Sequence, residues 1–365
     1  MMKKNLLWSA VWICSMLFLT VLSNSLNAQQ IIAYYSGKAK QINTYYDHQI
    51  TEIIFSFSHL SGNRLTIDNK KDTLTIRALV ALKKKNTRLK ILLSLGGWGG
   101  CKTCSEVFSS DSGRMEFAES VLSLTNYFQT DGIDLDWEFP ALAAYPEHPF
   151  NVEDKVNFTS LIKILRNRLG KSKEISVICA GVSPFLEGSL DLPDIVPYVD
   201  RINLMTYDLI GSKTHFSGHH TPLYSTSWQT ASADHALQYL DSLKIPHKKI
   251  CIGSAFYGRE YLIINNQADG LNQPAVFQKF ITMKDIRKEY TDKEGYITHW
   301  DSVAKAPYKY NDQNKIFITY DDERSVAAKV KYVKDKKLNG IFFWEMRLDL
   351  PKQGLMDVIF REMRK

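Results

Sequence analysis

Eight short apolar runs recur along the chain, separated by longer segments with helical periodicity, and this alternation limits the possible folds more than any other feature. The runs cover residues 31–36, 52–60, 89–98, 132–139, 175–183, 201–208, 250–257 and 340–344. Their nearly continuous apolar character indicates strands that are buried on both faces, as parallel sheets require. Helical patterns fall between them, such as residues 117–129, 156–169, 233–243 and 325–336. Eight strand–helix units predict an α/β fold, a (β/α)8 TIM barrel rather than an open sheet.

One interval between predicted strands is much longer than a single crossover needs. About 80 residues separate residue 257 from residue 340. The portion 261–315 combines a helical piece at 283–290 with short β-like pieces such as 295–300. This pattern predicts a small α+β insertion subdomain at 261–315, after strand seven. The whole of residues 29–365 is then expected to form one catalytic domain around the barrel.

The N-terminus has the pattern of a secretory signal peptide at residues 1–28. Lys3 and Lys4 precede an apolar run at 6–22, and a short polar stretch leads to Ala28. The alternative is an uncleaved membrane anchor, because the 17 residues of 6–22 approach the length that spans a bilayer. In either case the folded part is expected outside the cytoplasm, in the periplasm or secreted. The protein is expected to work as a monomer.

The charge pattern argues against two classes of partner. The chain has 46 Lys and Arg residues against 39 Asp and Glu residues, a formal net charge of +7. No run of basic residues is long enough to indicate nucleic acid or an anionic membrane as a partner. The three lysines at 83–85 lie within a helical pattern and are interpreted as a solvated helix face. We therefore expect no nucleic acid and, after signal cleavage, no membrane as a partner.

The cysteine pattern favours a local disulfide. Cys101 and Cys104 are separated by two residues, a spacing that also occurs in redox motifs and in half of a zinc site. No second such pair is present to complete zinc ligation. In an oxidising compartment a disulfide between Cys101 and Cys104 is the favoured interpretation. Cys179 and Cys251 lie in apolar strand patterns and are predicted to be buried.

Three carboxyl side chains alternate along the fourth predicted strand. Asp134, Asp136 and Glu138 are spaced by two residues, so they share one face of the strand, which ends with Glu138 at the mouth of the barrel. Carboxyls crowded in this way cannot all ionise, so at least one is expected to hold a proton near neutral pH, as a general acid must. A site for a hard cation is the alternative, although no histidine joins the cluster.

These residues resemble the signature of glycoside hydrolase family 18, the family of many chitinases. Asp131, Asp134, Asp136 and Glu138 match its D-x-x-D-x-D-x-E motif. The resemblance extends along the chain to further motifs on the predicted strands. The family's S-x-G-G motif is similar to residues 94–98, and its M-x-Y-D motif is similar to residues 205–208. The family pattern also matches residues 256–259 on strand seven and Trp344 on strand eight, and the borders of its insertion resemble residues 305–310 and 317–322.

The resemblance implies retaining, substrate-assisted hydrolysis of β-1,4-linked N-acetylglucosamine chains, with no cofactor and no metal. Glu138 would be the general acid and then the base. Asp136 would orient the substrate's 2-acetamido group, with Asp134 sharing a proton below it. Tyr207 would hold the acetamido oxygen, and Trp344 would form an apolar floor under the sugar.

The same resemblance implies residues that line the neighbouring subsites: Tyr34, Phe57, Gly97, Trp98, Met205, Asp208 and Arg259. Trp228 and Trp300 are candidates for outer stacking platforms. The insertion implies one raised wall and a deep groove, suited to long chains or exo-type cleavage. No segment resembles a separate chitin-binding module, which favours soluble chito-oligosaccharides or amorphous chitin as substrate.

Two alternatives to a secreted chitinase stay open. An endo-β-N-acetylglucosaminidase that acts on N-glycans or peptidoglycan-related chains can share the acidic motif. A non-catalytic lectin that binds chitin or oligosaccharides is the other, since some members of this family have become lectins. Such lectins commonly lack the final glutamate of the motif, whereas Glu138 is present.

Overall fold

The computed structural model describes residues 29–265 and 269–365, so the predicted signal peptide lies outside the described residues. The strands are β1 (Gln30–Tyr35), β2 (Glu52–Ser61), β3 (Arg64–Thr66), β4 (Lys90–Gly96), β5 (Gly132–Asp136), β6 (Glu174–Ala180), β7 (Arg201–Met205), β8 (Ile250–Ala255), β9 (Tyr257–Ile263), β10 (Ala275–Thr282), β11 (Ile297–Asp301), β12 (Ala306–Asn311), β13 (Ile316–Thr319) and β14 (Gly340–Trp344).

Eight of these strands form a closed parallel barrel. Their order around it is β1, β14, β8, β7, β6, β5, β4 and β2, and β2 pairs with β1 to close the circle. β3 forms an antiparallel hairpin with the end of β2. The predicted (β/α)8 barrel is therefore confirmed.

The helices surround the barrel and bury their apolar faces against it. They are α1 (Ile42–Tyr45), α2 (Lys70–Ala81), α3 (Cys104–Phe108), α4 (Asp111–Phe128), α5 (Asp154–Leu169), α6 (Phe185–Gly188), α7 (Leu192–Ile195), α8 (Ala233–Ser242), α9 (Met283–Glu289), α10 (Glu323–Asp335) and α11 (Leu355–Arg364). The helix predicted at 117–129 begins earlier, at Asp111, because the Ser110 side chain caps it by accepting a hydrogen bond from the Gly113 amide. No helix in the described ranges is long and apolar enough to cross a membrane.

Alternation along each barrel strand divides the apolar residues into two cores. In β1, Ile31 and Ala33 point outward and pack with the helices, whereas Ile32 and Tyr34 point into the barrel. The outer core is the larger and is continuous around the molecule. The inner core includes Ile54, Leu92 and Phe342. The interior is therefore packed rather than hollow, and a substrate can reach the barrel only at a strand end.

A second, antiparallel sheet follows the seventh barrel strand. Its order is β10, β9, β13, β12 and β11, and α9 lies between β10 and β11 in the chain. β9 begins at Tyr257, two residues after β8 ends, so the chain passes directly from the barrel into this sheet. The structure thus confirms a small second sheet on the barrel, at the position where the long interval predicts one.

Charged residues close the N-terminal end of the barrel. Glu52, Lys90, Glu174 and Arg201 are the first residues of β2, β4, β6 and β7. Arg201 is almost fully buried; it pairs with Glu52 and donates to Glu174 at 2.7 Å. Lys90 contacts the same Glu174 at 2.5 Å. Buried charges are tolerated because each is paired in this way.

Candidate active site

Strand β5 carries the row of carboxyls that the sequence predicts. Asp134 and Asp136 lie inside the barrel and are buried, and Glu138 follows just beyond the strand end, where it is partly exposed. The intervening Leu135 and Trp137 point the other way and pack in the outer core. The row therefore rises from the barrel interior to its C-terminal mouth, where active sites of this fold lie.

Asp134 is held by donors from four other strands. It accepts hydrogen bonds from Tyr34 Oη at 3.1 Å, from Ser94 Oγ at 2.9 Å, from Asn203 Nδ2 at 3.3 Å and from Ser176 Oγ. Burial raises the pKa of Asp134, and these donors partly offset that rise. These hydrogen bonds therefore fix the Asp134 carboxyl in position and stabilise its charge.

Asp136 receives fewer hydrogen bonds than Asp134 does. Its side chain is buried, and Oδ1 accepts no hydrogen bond from any described residue. Burial raises the pKa of Asp136 well above its ordinary value, and the negative charges of Glu138 and Asp134 raise it further. A buried carboxylate oxygen without a donor is costly, so the site favours a ligand that supplies an N–H or O–H at this point.

Glu138 has the electrostatics of a general acid. Burial raises its pKa to about 8, the negative charge of Asp208 adds to the rise, and a hydrogen bond with Asp136 opposes it. Glu138 is therefore protonated near neutral pH and can donate its proton to an oxygen in the mouth of the barrel.

Residues after β7 form the wall beside Glu138. Tyr207 is buried, and its ring packs edge-on against Tyr257 at 6.0 Å. Burial raises the pKa of Tyr207, and the charges of nearby carboxylates raise it further. Asp208 accepts from Arg259 Nε at 2.7 Å and lies 3.5 Å from His220 Nδ1. These neighbours lower the pKa of Asp208 in spite of its burial, so it remains ionised.

An aromatic floor lies across the barrel mouth. The rings of Trp344 and Phe57 stack with centroids 5.5 Å apart and planes 18° apart. Gly97 makes room for this pair: its φ is +79°, and an added Cβ would lie 2.3 Å from the Phe57 ring. Tyr34, predicted to line a subsite, lies instead beneath the floor, 5.8 Å from Trp344, with its hydroxyl on Asp134.

The other predicted aromatic platforms differ in their surroundings. Trp98 is 63% exposed and meets Tyr145 edge-on at 5.4 Å, so its ring offers a free surface beside the mouth. Trp228 is partly buried next to His219, at 5.7 Å. Trp300 lies under the Arg324 guanidinium, 3.9 Å from the ring centroid, so that one of its faces is already covered.

Three further predicted residues lie near these walls. Met205 ends β7 and packs against Phe139 and its apolar neighbours. Cys101 and Cys104 form a disulfide in the loop after β4, with Cα atoms 5.1 Å apart, and this loop also carries Trp98. Cys179 and Cys251 are buried and free. Within residues 29–265 and 269–365, no group of three His, Cys, Asp or Glu side chains is arranged to hold a metal ion.

Some residues of the site are absent from the sequence prediction. Ser176, Asn203 and His220 are fully buried polar residues that contact Asp134 or Asp208. The strand pattern of the sequence could have revealed two of them, Ser176 and Asn203. Ser176 and Asn203 occupy inward-facing positions of β6 and β7 at the level of Asp134, where an apolar residue is otherwise expected. His220 lies in a loop, and no strand periodicity marks it.

The fold and the site together define a class. The barrel carries a protonated carboxyl, Glu138, at its C-terminal mouth, with the ionised Asp208 and an aromatic floor beside it. This combination is the active site of a glycoside hydrolase. The comparison with known families then specifies it: residues 30–349 match the model of glycosyl hydrolases family 18, and the chain belongs to that family.

Relatives and solved structures agree with this assignment. The chain is 33% identical to chitinase A1 of Niallia circulans over 301 residues. The aligned residues cover 76% of this chain and 43% of that relative. It is 29% identical over 323 residues to chitotriosidase-1 of Mus musculus, covering 82% and 67% of the two chains. A solved family 18 N-acetylglucosaminidase from Paenibacillus barengoltzii superposes with a TM-score of 0.82 at 30% identity, over 92% of this chain and 99% of that one. The chain thus spans less than half the length of the first of these relatives.

Proposed function

We propose that this protein hydrolyses β-1,4 linkages between N-acetylglucosamine residues, with Glu138 as general acid and base. The observation that carries the proposal is the row of carboxyls on β5, in which Glu138 has a pKa of about 8 next to a buried Asp136. The relatives named as chitinases and as an N-acetylglucosaminidase support this class of substrate.

The carboxyl arrangement supports substrate-assisted retention. A retaining enzyme with a carboxylate nucleophile needs a second free carboxylate near the anomeric carbon. Asp208 is neutralised by Arg259, and Asp134 is buried with all its donors in place. Burial and the charges of Glu138 and Asp134 raise the pKa of Asp136 well above its ordinary value, so Asp136 is not a free carboxylate either. The substrate's 2-acetamido oxygen therefore takes the role of nucleophile.

The proton transfers follow from the positions of these groups. Glu138 donates its proton to the glycosidic oxygen as the C1–O bond breaks, and the acetamido oxygen bonds to C1. The unpartnered Oδ1 of Asp136 accepts the acetamido N–H, and the hydroxyl of Tyr207 donates to the acetamido oxygen. Water then attacks C1, Glu138 takes its proton, and the acetamido group is released with configuration retained.

The aromatic floor supports binding of the sugar ring. The Trp344–Phe57 pair presents an apolar face beneath the reacting sugar, and the exposed ring of Trp98 extends that surface. Gly97 shapes the floor and does not contact the sugar through a side chain. Met205 and the Asp208–Arg259 pair lie in the wall beside Glu138.

The test is hydrolysis of N-acetylglucosamine tetramers to hexamers by wild type and by Glu138→Gln, with products read by mass. We expect cleavage by wild type and a loss of at least about 100-fold in the variant, since a general acid contributes that much or more. The product ladder distinguishes endo from exo action. A glycoprotein is tested in parallel. Binding of the oligomers by both proteins without cleavage by either would instead support a lectin, and cleavage of the glycoprotein alone would support an endo-β-N-acetylglucosaminidase.

We further propose that residues 1–28 are a signal peptide and that the mature protein acts in the periplasm or outside the cell. The mass of the mature protein, isolated from the cell envelope and from the medium, tests this. A mature N-terminus near residue 29 is expected. A full-length mass in the membrane fraction would contradict cleavage and would favour the anchor.

A further inference from the structure

A large basic depression lies at the N-terminal end of the barrel, opposite the active site. Its volume is about 870 Å³, and it lies among the segments that lead into the barrel strands. Its walls include six lysines and three carboxylates: Lys90, Lys171, Lys173, Lys248, Lys334, Lys337, Asp131, Glu174 and Asp200.

The carboxylates of this depression are already neutralised by cations. Asp131 pairs with Lys83 at 2.7 Å, Asp200 pairs with Arg166 at 2.5 Å, and Glu174 is shared between Lys90 and Arg201. Lys90 is the one lining lysine used in these pairs. The acidic groups therefore do not neutralise the other lysines.

Five lysines of the depression have no carboxylate partner within the described ranges: Lys171, Lys173, Lys248, Lys334 and Lys337. Lys173 donates to the Thr130 carbonyl at 2.6 Å and Lys334 to the Glu362 carbonyl at 3.3 Å. Lys171, Lys248 and Lys337 are exposed. We call these five residues the basic face. They come from three separate segments of the chain, at 171–173, 248 and 334–337, so no single basic run reveals them.

The chain enters the fold at the rim of the basic face. Gln29 Nε2 donates to the carbonyls of Val333 and Leu338 at 2.8 and 3.2 Å, and the Gln30 amide donates to the Asn339 carbonyl at 2.8 Å. Gln29 and Gln30 also line the depression. The segment 1–28, with its apolar run at 6–22, is therefore attached to the protein at this face.

We propose that the basic face docks on an anionic membrane surface, where its lysines contact the phosphates of lipid headgroups. Charge complementarity favours this occupant, because each lysine near an anionic leaflet raises binding about fivefold. The attachment point of the apolar segment places the same face toward the bilayer while that segment is in the membrane. The active site lies about 20 Å away, at the other end of strands that rise about 3.3 Å per residue, and so points outward. This inference does not depend on the proposed hydrolase activity.

Lysines also occur near helix C-termini because they interact with the helix dipole. Lys334 lies in the last turn of α10, and Lys171 follows the end of α5. A purely structural role of this kind would make the lysines matter for stability and not for membrane binding. The two roles are therefore separated by measuring both quantities.

The experiment uses residues 29–365, which contain all eight strands of the closed barrel. Binding is measured by co-sedimentation with phosphatidylcholine vesicles, with and without phosphatidylglycerol. The test variant is Lys171→Glu/Lys248→Glu/Lys337→Glu. The matched control is Lys213→Glu/Lys293→Glu/Lys352→Glu, which changes three exposed lysines elsewhere and gives the same net charge. Thermal unfolding is recorded for all three proteins.

We expect wild type to bind vesicles only when phosphatidylglycerol is present, and binding to weaken as salt is raised. The test variant should lose about 100-fold or more in affinity, from about fivefold per lysine. The control variant should stay within about threefold of wild type. Equal losses in the two variants, no binding by wild type, or a test variant that is destabilised yet still binds would each overturn the proposal.

Discussion

At the scale of single residues, the proton on Glu138 sets the working pH range. Its pKa is raised to about 8 by burial and by the charge of Asp208, so the acid is protonated below that pH. We expect kcat/KM on a soluble chito-oligosaccharide to fall as the pH rises through about 8. A pH–rate profile of wild type tests this. Activity that stays constant well above pH 8 would contradict the role of Glu138 as the acid.

The same raised pKa has a consequence for stability. Between the ordinary value of 4.5 and about 8, the unfolded chain releases the Glu138 proton while the folded chain keeps it. The free energy of unfolding therefore decreases as the pH rises through this range. We expect Glu138→Gln to remove the loss, so that its gain over wild type grows from nearly zero at low pH to about 1–3 kcal/mol near pH 8. This is less than the full pKa shift would give, because Glu138 is partly exposed and solvent screens its charge.

Thermal or denaturant unfolding of both proteins across this range measures that gain. The control is Glu289→Gln, at a side chain on α9 that is 54% exposed, for which we expect less than about 0.5 kcal/mol at any pH. A constant difference between Glu138→Gln and wild type would contradict the assigned pKa.

Replacing Tyr34 tests whether the hydrogen bonds beneath the active site contribute to stability and catalysis. Its hydroxyl donates to Asp134 and accepts from Asn203 at 2.9 Å. Tyr34→Phe should cost about 1–3 kcal/mol of stability, because a buried amide hydrogen loses its acceptor. We also expect kcat to fall about tenfold with KM nearly unchanged, since Tyr34 lies under the floor and a lost hydrogen bond to a charged group costs up to about 3 kcal/mol. Steady-state kinetics test the split; a rise in KM alone would indicate direct substrate contact.

At the scale of elements, the loop after β4 fixes the aromatic floor. Gly97 and Gly99 have nearly equal φ angles, +79° and +77°, but only Gly97 lies against the Phe57 ring. Gly97→Ala should therefore cost about 1–3 kcal/mol more than Gly99→Ala, because both carry the same backbone strain and only one displaces Phe57. We expect the displaced floor to raise KM as well. Equal effects of the two variants on unfolding and KM would contradict the steric role of Gly97.

The sequence predicts the strands of the barrel better than the residues that support the site. Continuous apolar runs locate all eight barrel strands, because a strand buried on both faces needs no alternation. The start of α4 is missed because Ser110 and the first helical turn lack the apolar periodicity. Tyr34 is assigned to a subsite from family resemblance, although its inward position in β1 places it beneath Trp344. The residue roles in catalysis stay predictions until the variants are measured.

At the scale of the whole molecule, a buried charge network closes one end of the barrel. Arg201 is buried and satisfies both Glu52 and Glu174. Arg201→Met should cost about 3–5 kcal/mol, because it leaves buried carboxylates without a cation. As a control, Arg361→Met removes a partly exposed pair with Glu362 and should cost less than about 1 kcal/mol. Chemical denaturation measures both; similar costs would show that the network adds no more than a surface pair.

The basic face illustrates what only the folded chain reveals. The sequence gives no basic run beyond the lysines at 83–85 and so argues against an anionic surface as partner. The fold brings lysines from the last turn of α10 and from the segments after α5, α8 and α10 to the same end of the barrel, because successive helices return the chain to the N-terminal ends of the strands. Such a cluster depends on topology and is invisible to local charge patterns.

The pairing of the first barrel strand with the last has a consequence for how the protein is made. Gln30 of β1 pairs with Gly340 of β14, so the barrel cannot close until nearly the whole chain has left the ribosome. At about 5–20 residues per second, translation from one strand to the other takes roughly 15–60 s. During that time β1 lacks one neighbour and the sheet remains open. If the chain is exported as proposed, a translocation channel that accepts only unfolded polypeptide has this whole interval in which to take up the nascent chain.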